Sequence, residues 1–496
     1  MLLRPVWALR RRAAAFASPG GPRRQQQDAA RYRDTVLLPR TQFPARLSGR
    51  EVVERELRVQ QECGFTHLYA WQRERKVKKE FCLHDGPPYA NGDAHVGHAL
   101  NKILKDVRNR FEVLRGRRVH YVPGWDCHGL PIELRALGEL DAGDLQPLQI
   151  RKRAHEFAEA AIARQAAAFR RWGVMADWGS SCYYTFSGVY EAAQLRVFQE
   201  MHSKGLIYQD YKPVFWSPST RTALAEAELE YNTQHVSSAV YTTFAVSTPP
   251  PKLAAQAGEW GDVCVLIWTT QPWTIPANQA ICYMPNAQYS LVKTADGSRR
   301  LLAVNGLLPP SRPGADLEGG VCSHPTISGK RVPLLPANHV TMSKGTGLVH
   351  TAPAHGMDDY SVASHFNLPV ECVCDETGSF VEVAGPELQG QNVLDEGNQT
   401  VISMLRAAGA LVKQEECVHS YPYDWRSRQP VLIRASRQWF INTSSLRERK
   451  VRVVPDSARS SLMAMLERRT YWCISRQRSW GVPIPVFKSH LLPLCP

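Results

Sequence analysis

The run from Glu80 to His98 constrains this chain most. A strand-like stretch, Glu80 to His84, enters the loop Asp85-Gly86-Pro87-Pro88-Tyr89-Ala90-Asn91-Gly92, and a helix is predicted to begin near His95. Pro87 and Pro88 fix the loop backbone, while Gly86 and Gly92 permit close approach or unusual dihedrals. Leu100, Ile103, Leu104, Val107, Phe111 and Leu114 recur at helical spacing, and Gly116 ends the helix. A second short strand, Val119 to Val122, leads into Pro123-Gly124-Trp125-Asp126-Cys127-His128-Gly129. Strand, loop, helix, strand, loop is the order of a parallel α/β sheet with a site at the strand ends.

A helix start after such a loop offers free backbone N–H groups and the positive end of the helix dipole, both suited to an anion. His95 and His98 share one helix face and can donate to the same phosphate group. Gly97 between them leaves room for a nucleotide against the backbone. Donors aimed this way stabilise the charge that builds as pyrophosphate leaves. By itself the H-x-x-H spacing also fits a helix with two incidental histidines.

At 496 residues the chain is too long for one core, so two or three domains are expected. No apolar run approaches the length of a transmembrane helix, and no membrane partner is expected. The net charge of +14 has two sources. Residues 1–27 carry Arg4, Arg10, Arg11, Arg12, Arg23 and Arg24 with no acid before Asp28, the composition of a mitochondrial transit peptide, although a basic RNA-binding tail would look similar. The remaining surplus suits a polyanionic partner. The 12 cysteines are scattered, none in C-x-x-C; Cys372-Val373-Cys374 is a poor chelate spacing, and no metal is expected from them.

Along the chain, residues 28–75 form an N-terminal extension with a possible helix from Glu51 to Cys63, and 76–236 the nucleotide-binding half. Residues 150–205 read as helices, including Ala192 to Lys204. Beyond Ser237 the texture becomes β-rich: Val240 to Val246, Val263 to Trp268 and Ala280 to Tyr283 are predicted strands, and 308–330 a loop. Residues 237–410 are taken as an insertion, 411–487 as the return, and 488–496 as an atypical tail. Tyr421, Tyr423, Trp425, Trp439 and Phe440 interleave with Arg426, Arg428, Arg434 and Arg437. Such a segment can stack on unpaired bases, or be core with a solvated rim.

The stretch Asp85 to His98, ending His95-Val96-Gly97-His98, resembles the "HIGH" signature of class I aminoacyl-tRNA synthetases. Gly124-Trp125-Asp126-Cys127-His128-Gly129-Leu130-Pro131-Ile132-Glu133 resembles the isoleucine branch of that family. Trp268 to Thr274, Gly345 to Pro353 and Ser475 to Gly481 agree, and the likeness covers residues 32–487. The resemblance implies an α/β fold: a Rossmann-like parallel nucleotide-binding domain interrupted by a β-rich editing insertion. It implies that His95 and His98 are catalytic and hold ATP phosphates, with Pro88, Asn91, Gly92 and Gly97 also at the ATP site and Mg2+ accompanying ATP. Gly86, Pro87 and Tyr89 would line the isoleucine pocket, and Asp126 would pair with the α-ammonium of L-isoleucine, unless it simply caps its loop. tRNA(Ile) is the implied partner and the mitochondrial matrix the implied compartment.

A pocket that distinguishes substrates by one methylene gains only about 10–200-fold, isoleucine against valine in an isoleucine enzyme being the standard instance, so a second, hydrolytic site is expected. By resemblance Asp359 would anchor the α-amino group of misattached valine, and Thr269, Thr270, Thr274, Asn278 and His350 would shape that pocket. Gln271 departs from the family pattern, in which a third threonine is usual. Met342-Ser343-Lys344-Gly345 looks like the family's second ATP motif but stands out of order. Some relatives bind zinc where this chain has Ser217, Thr220 and Asp424; without thiolates there, no zinc is expected. A family member of about twice this length is implied, which makes a truncated form the expectation and a noncatalytic editing or tRNA-binding module the competing one.

Overall fold

The computed structural model describes residues 47–138, 145–254, 263–294, 297–304, 311–444, 455–468 and 471–486, with the isolated residues Thr35, Leu37 and Val453. The expected leader at 1–27 and tail at 488–496 lie outside the described residues. Helix α1 (Gly49–Glu62) starts at a capping box in which Ser48 and Glu51 satisfy each other's backbone N–H groups. After α2 (Leu68–Glu74), β1 (Glu80–His84) feeds the loop and α3 (Val96–Leu114), which crosses to β2 (Arg118–Val122). β1 and β2 pair in parallel from Glu80↔Arg118 to His84↔Val122, as the strand–helix–strand pattern predicts. β3 (Gly124–Trp125) pairs in parallel with β4 (Tyr183–Tyr184). Between them α4 (Leu130–Leu137) and α5 (Pro147–Arg171) pack Ile132, Ala154, Ala158 and Phe169 around Trp125.

Helix α3 faces the opposite way from its apolar stripe. Leu100, Ile103, Leu104, Val107, Phe111 and Leu114 are exposed, Leu114 at 86%, whereas Lys102, Asp106, Asn109 and Glu112 are buried. The inward side meets charged and polar groups: Lys102 and Lys105 reach Asp85 at 2.5 and 2.9 Å, and Asp106 accepts the N–H of Met175 at 2.7 Å. Periodicity reveals two unlike faces, and the partners available decide which one turns inward. An outward stripe of this extent exceeds the scattered apolar residues of an ordinary surface.

Helix α6 (Gly188–Ser203) leads into β5 (Ile207–Ser217), which pairs with the short β6 (Thr222–Leu224). The 20-residue β7 (Leu229–Thr248) then carries the chain outward, the short α7 (Pro251–Ala254) following it. The insertion adds β8 (Val263–Thr269), β9 (Ala280–Tyr283), β10 (Gln288–Lys293), β11 (Arg300–Val304), β12 (Ser311–Pro313), β13 (Val321–Ser323), β14 (Arg331–Pro336) and β15 (Leu348–Thr351). These strands lie in the order β12-β10-β11-β8-β7-β13-β14-β9-β15. Helices α8 (Met357–Phe366) and α9 (Glu396–Ala407) follow, and β16 (Leu411–Asp424) returns antiparallel to β7. β17 (Leu432–Asn442) then pairs with β5 along its length and with β18 (Tyr471–Cys473), beyond α10 (Arg459–Arg468). The insertion is thus entered and left through two antiparallel strand pairs, β5–β17 and β7–β16. Its core gathers Val240, Phe244, Val265, Ile267, Ile275 and Ile281.

Two sequence expectations change here. The strand expected at Val240–Val246 begins at Leu229, because its exposed polar first half is held by pairing with β16, which alternation cannot signal. The loop expected over 308–330 contains β12 and β13, three residues each, recruited by β10 and by β14 and β7. Among the described residues no helix is long and apolar enough to cross a membrane.

Candidate functional site

The start of α3 is built from its own histidines. His95 is the N-cap: its Nδ1 accepts the N–H of Gly97 at 3.1 Å, and the Nδ1 of His98 accepts the N–H of His95 at 3.3 Å. The two rings stack with centroids 3.9 Å apart. A neutral imidazole that accepts through Nδ1 carries its proton on Nε2, so each ring keeps one outward donor. Burial, then His95 and Lys102, hold His98 below its ordinary pKa, which keeps this ring neutral near pH 7. The His95 ring packs beside Gly97, where a Cβ would meet it at 3.0 Å. That close approach of side chain to backbone favours glycine there.

The preceding loop is tied down at both ends. Asp85, fully buried, accepts from Lys102, Lys105 and the N–H of Gly124, joining β1, α3 and the strand after β2. Tyr89 and Asp126 form an isolated parallel bridge, with Ala90 N–H to Asp126 O and Asp126 N–H to Pro88 O both 2.9 Å. Gly86, Pro87, Pro88, Tyr89, Asn91 and Gly92 therefore lie on one strap alongside Asp126. Arg135 donates to the Asn91 carbonyl and would meet a Cβ on Gly92 at 2.6 Å. Gln165 of α5, wholly buried, donates to the carbonyls of Tyr89 and Gly92 at 2.9 and 2.8 Å and accepts from Trp125 Nε1 at 3.0 Å. Nothing local in the sequence marks Gln165; only the arrival of α5 against the strap gives it this role.

Burial pushes the Asp126 carboxyl up, against the opposing His128 N–H, Tyr89 hydroxyl and Arg426. The segment after it is braced by the returning chain. Glu133 accepts the N–H groups of Ser479 and Trp480 at 3.1 and 2.6 Å, and Arg151 donates to the carbonyls of Ser479 and Gly481. Trp480 Nε1 donates to the Cys127 carbonyl at 2.7 Å. A cavity of about 300 Å³ lies at the strand ends, lined by His84, Asp85, His120, Val122, Tyr183 and Tyr190.

A second polar group lies within the insertion. The amide of Asn278 donates to His350 Nδ1 at 2.6 Å and also serves the Ala280 carbonyl. His350 then carries its proton on Nε2 and donates it to Thr274 Oγ1 at 2.9 Å, while that hydroxyl donates to the Gln271 carbonyl at 2.8 Å. Burial, with His324, His355 and Lys330 nearby, lowers His350 to about 3, so the chain of hydrogen bonds is neutral. Asp359, at the start of α8, accepts the N–H of Ala352, two residues past His350, at 2.8 Å. Burial raises its carboxyl to about 7, aided by Asp358 and opposed by that N–H.

Thr269 ends β8 and accepts the N–H of Gln271 at 3.0 Å; Thr270 sits in the turn between them. Gln271, where the family resemblance implies threonine, turns its carbonyl oxygen to Trp273 Nε1 at 2.8 Å and to the Tyr421 hydroxyl of β16 at 3.4 Å. Met342-Ser343-Lys344-Gly345 lies between β14 and β15, with Lys344 over the Trp268 ring. Ser217, Thr220 and Asp424 come together: both hydroxyls donate to Asp424 Oδ2, at 2.7 and 3.2 Å, and the Arg426 N–H reaches Oδ1. Of the basic–aromatic segment, Phe440 and Tyr421 are core, while Trp425 is exposed under the Arg426 guanidinium at 4.1 Å.

The family description for class I tRNA synthetases (I, L, M and V) matches residues 62–492, and the chain belongs to that family. Within it, the chain is 60% identical to the mitochondrial isoleucine–tRNA ligase of Gallus gallus over 97% of its own length and 50% of the relative's. It is 60% identical to the Mus musculus mitochondrial enzyme over 92% and 47%, and 45% identical to the isoleucine–tRNA ligase of Thermosynechococcus vestitus over 92% and 50%. The chain spans about half the length of the curated relatives it matches. Among solved structures, the Agrobacterium radiobacter K84 agnB2 LeuRS–tRNA–LeuAMS complex is 19% identical with a TM-score of 0.33, covering 76% of this chain and 48% of that one. That likeness is too low to add to the assignment.

Proposed function

We propose that this chain carries the ATP- and isoleucine-binding part of an isoleucine–tRNA ligase of the mitochondrial matrix, together with an editing site for valine attached to tRNA(Ile). The observation that carries the reading is the His95–His98 pair, whose two outward Nε2–H donors sit at a helix N-terminus after the strap that pairs with Asp126. A carboxylate oxygen of isoleucine would attack the α-phosphorus of ATP, forming isoleucyl-adenylate and releasing pyrophosphate. The Nε2–H donors of the two imidazoles would steady the departing charge. Asp126, raised by burial and so in want of a cation, suits the α-ammonium group. The 3′-terminal hydroxyl of tRNA would then take the acyl group and release AMP.

Mg2+ accompanies ATP and neutralises phosphate charge when bound. Nearby loop carboxylates are already paired, Asp85 with two lysines and Asp93 with Arg164, so the ion would be held through phosphate oxygens. In the insertion, Asp359 would receive the α-ammonium of misattached valine, and the Thr274–His350–Asn278 chain would fix the pocket wall where water attacks the ester. Mitochondrial action rests on the names of the vertebrate relatives and on the basic leader.

Isoleucine-dependent ATP–pyrophosphate exchange and hydrolysis of Val-tRNA(Ile) by the purified chain test both halves. The expected result is that His98→Ala removes the first and spares the second, and Asp359→Asn does the reverse. Absence of both activities in the unsubstituted chain sinks the proposal.

A further inference from the structure

Three potential ligands meet at the junction of the insertion with its neck. One atom each from His355, Cys372 and Cys374 lies within 4.8 Å of the others. His355 follows β15 in a turn closed by its own N–H on Ala352 O. Its Nδ1 donates to the Ile433 carbonyl of β17 at 2.9 Å, which fixes the tautomer and leaves the Nε2 lone pair directed toward the cysteine segment. Nε2 meets there the N–H of Val373, at a long 3.3 Å. A backbone carbonyl that holds the far nitrogen in this way is the usual support of a metal-bound histidine. Both cysteines are free thiols; Cys374 is buried, and Cys372 is half-buried and gives an ion access.

We propose that His355, Cys372 and Cys374 form a binding site for a thiophilic divalent cation with a filled d shell, Zn2+ in the first instance. This differs from the Ser217–Thr220–Asp424 position, where hydroxyls already satisfy the carboxylate. In a tetrahedral site with two sulfur ligands and one nitrogen, metal bonds of about 2.3 Å to sulfur and about 2.0–2.1 Å to nitrogen place the ligand atoms roughly 3.5–4 Å apart. Rotation of the two thiols, moving each sulfur by less than about 1 Å, closes the present spacing to that value. Binding releases two thiol protons to solvent and leaves the fourth position to water. Two thiolates outweigh the one nearby guanidinium, Arg434, which donates to the Cys374 carbonyl at 3.2 Å. The bound ion would tie the turn after β15 to the segment before Phe380, and through Ile433 to β17. The C-x-C spacing supplies only two ligands, and the third, His355, comes beside them only through tertiary folding.

The test is titration of the reduced, chelator-treated full chain with Co2+, whose thiolate charge-transfer and visible bands report tetrahedral sulfur ligation. The expected result is one Co2+ per chain, displaced by Zn2+, lost in Cys372→Ser and in Cys374→Ser, and retained in the control Cys417→Ser. In the unsubstituted chain, equimolar Zn2+ should protect Cys372 and Cys374 from alkylation, located by peptide mapping, and leave the other cysteines unchanged. This second measurement stands even where a variant folds poorly. Absence of saturable binding, a band that survives both serine variants, or unaltered alkylation of Cys372 and Cys374 overturns the proposal.

Discussion

The ring of His98 accepts the backbone N–H of His95 at 3.3 Å, so the second histidine of the motif caps the first while keeping its own Nε2–H free. One side chain thus serves both the helix and the proposed ligand. His98→Ala is expected to lower isoleucine-dependent ATP–pyrophosphate exchange by about 100- to 1000-fold, the usual cost of one donor to developing charge. The lost cap should cost only about 0.5–2 kcal/mol in urea unfolding. Exchange that survives the substitution within a few-fold would remove His98 from the phosphate site.

Gln165 serves three partners with one buried amide. Gln165→Leu keeps the volume and strands two carbonyls and an indole N–H, for an expected loss of about 2–4 kcal/mol. Because those carbonyls belong to the strap at Tyr89 and Gly92, KM for ATP should also rise. Equal KM with lowered stability would reduce Gln165 to a core residue.

His350 and Asp359 oppose each other in the pH dependence of stability. His350 is held at about 3 against an ordinary 6.5, so its contribution is full above about 6.5 and is lost as pH falls toward 3. Asp359, raised from 3.8 to about 7, contributes below 3.8 and loses that as pH rises through 7. His350→Gln should therefore flatten the decline in unfolding free energy between pH 6.5 and 4.5, by up to about 1.4 kcal/mol per pH unit. Asp359→Asn should steepen it. Parallel curves for all three proteins would contradict the assigned burial.

Gln271→Thr restores the residue expected of the family and should destabilise this chain. Trp273 is 3% exposed, and its indole N–H loses its acceptor, at about 1–3 kcal/mol. Urea midpoints of the two proteins decide the matter; a threonine variant as stable as the parent would show the Gln271–Trp273 bond to be dispensable.

Much of this was legible in the residues. β1 and β9 run over the predicted spans Glu80–His84 and Ala280–Tyr283, and His95 stands at the start of its helix. Such features are local: a Gly/Pro loop, a strand run and a helix start act within a few positions, so order alone reveals them. The editing candidates Thr274, Asn278 and His350 were named by resemblance, but the proton order along them follows only from where the Asn278 amide also donates.

By itself the sequence determined the family, the parallel strand–helix–strand unit, the β-rich insertion and the helix start near His95. Tertiary structure alone decided that α3 turns its charged face inward, that Gln165 holds the strap, that Gln271 serves Trp273, and that His355 meets Cys372 and Cys374. The physical reason is the same in each case. Apolar periodicity states a preference that any partner can overrule, and a buried polar group must find its partner wherever the fold brings one, at separations no local pattern encodes.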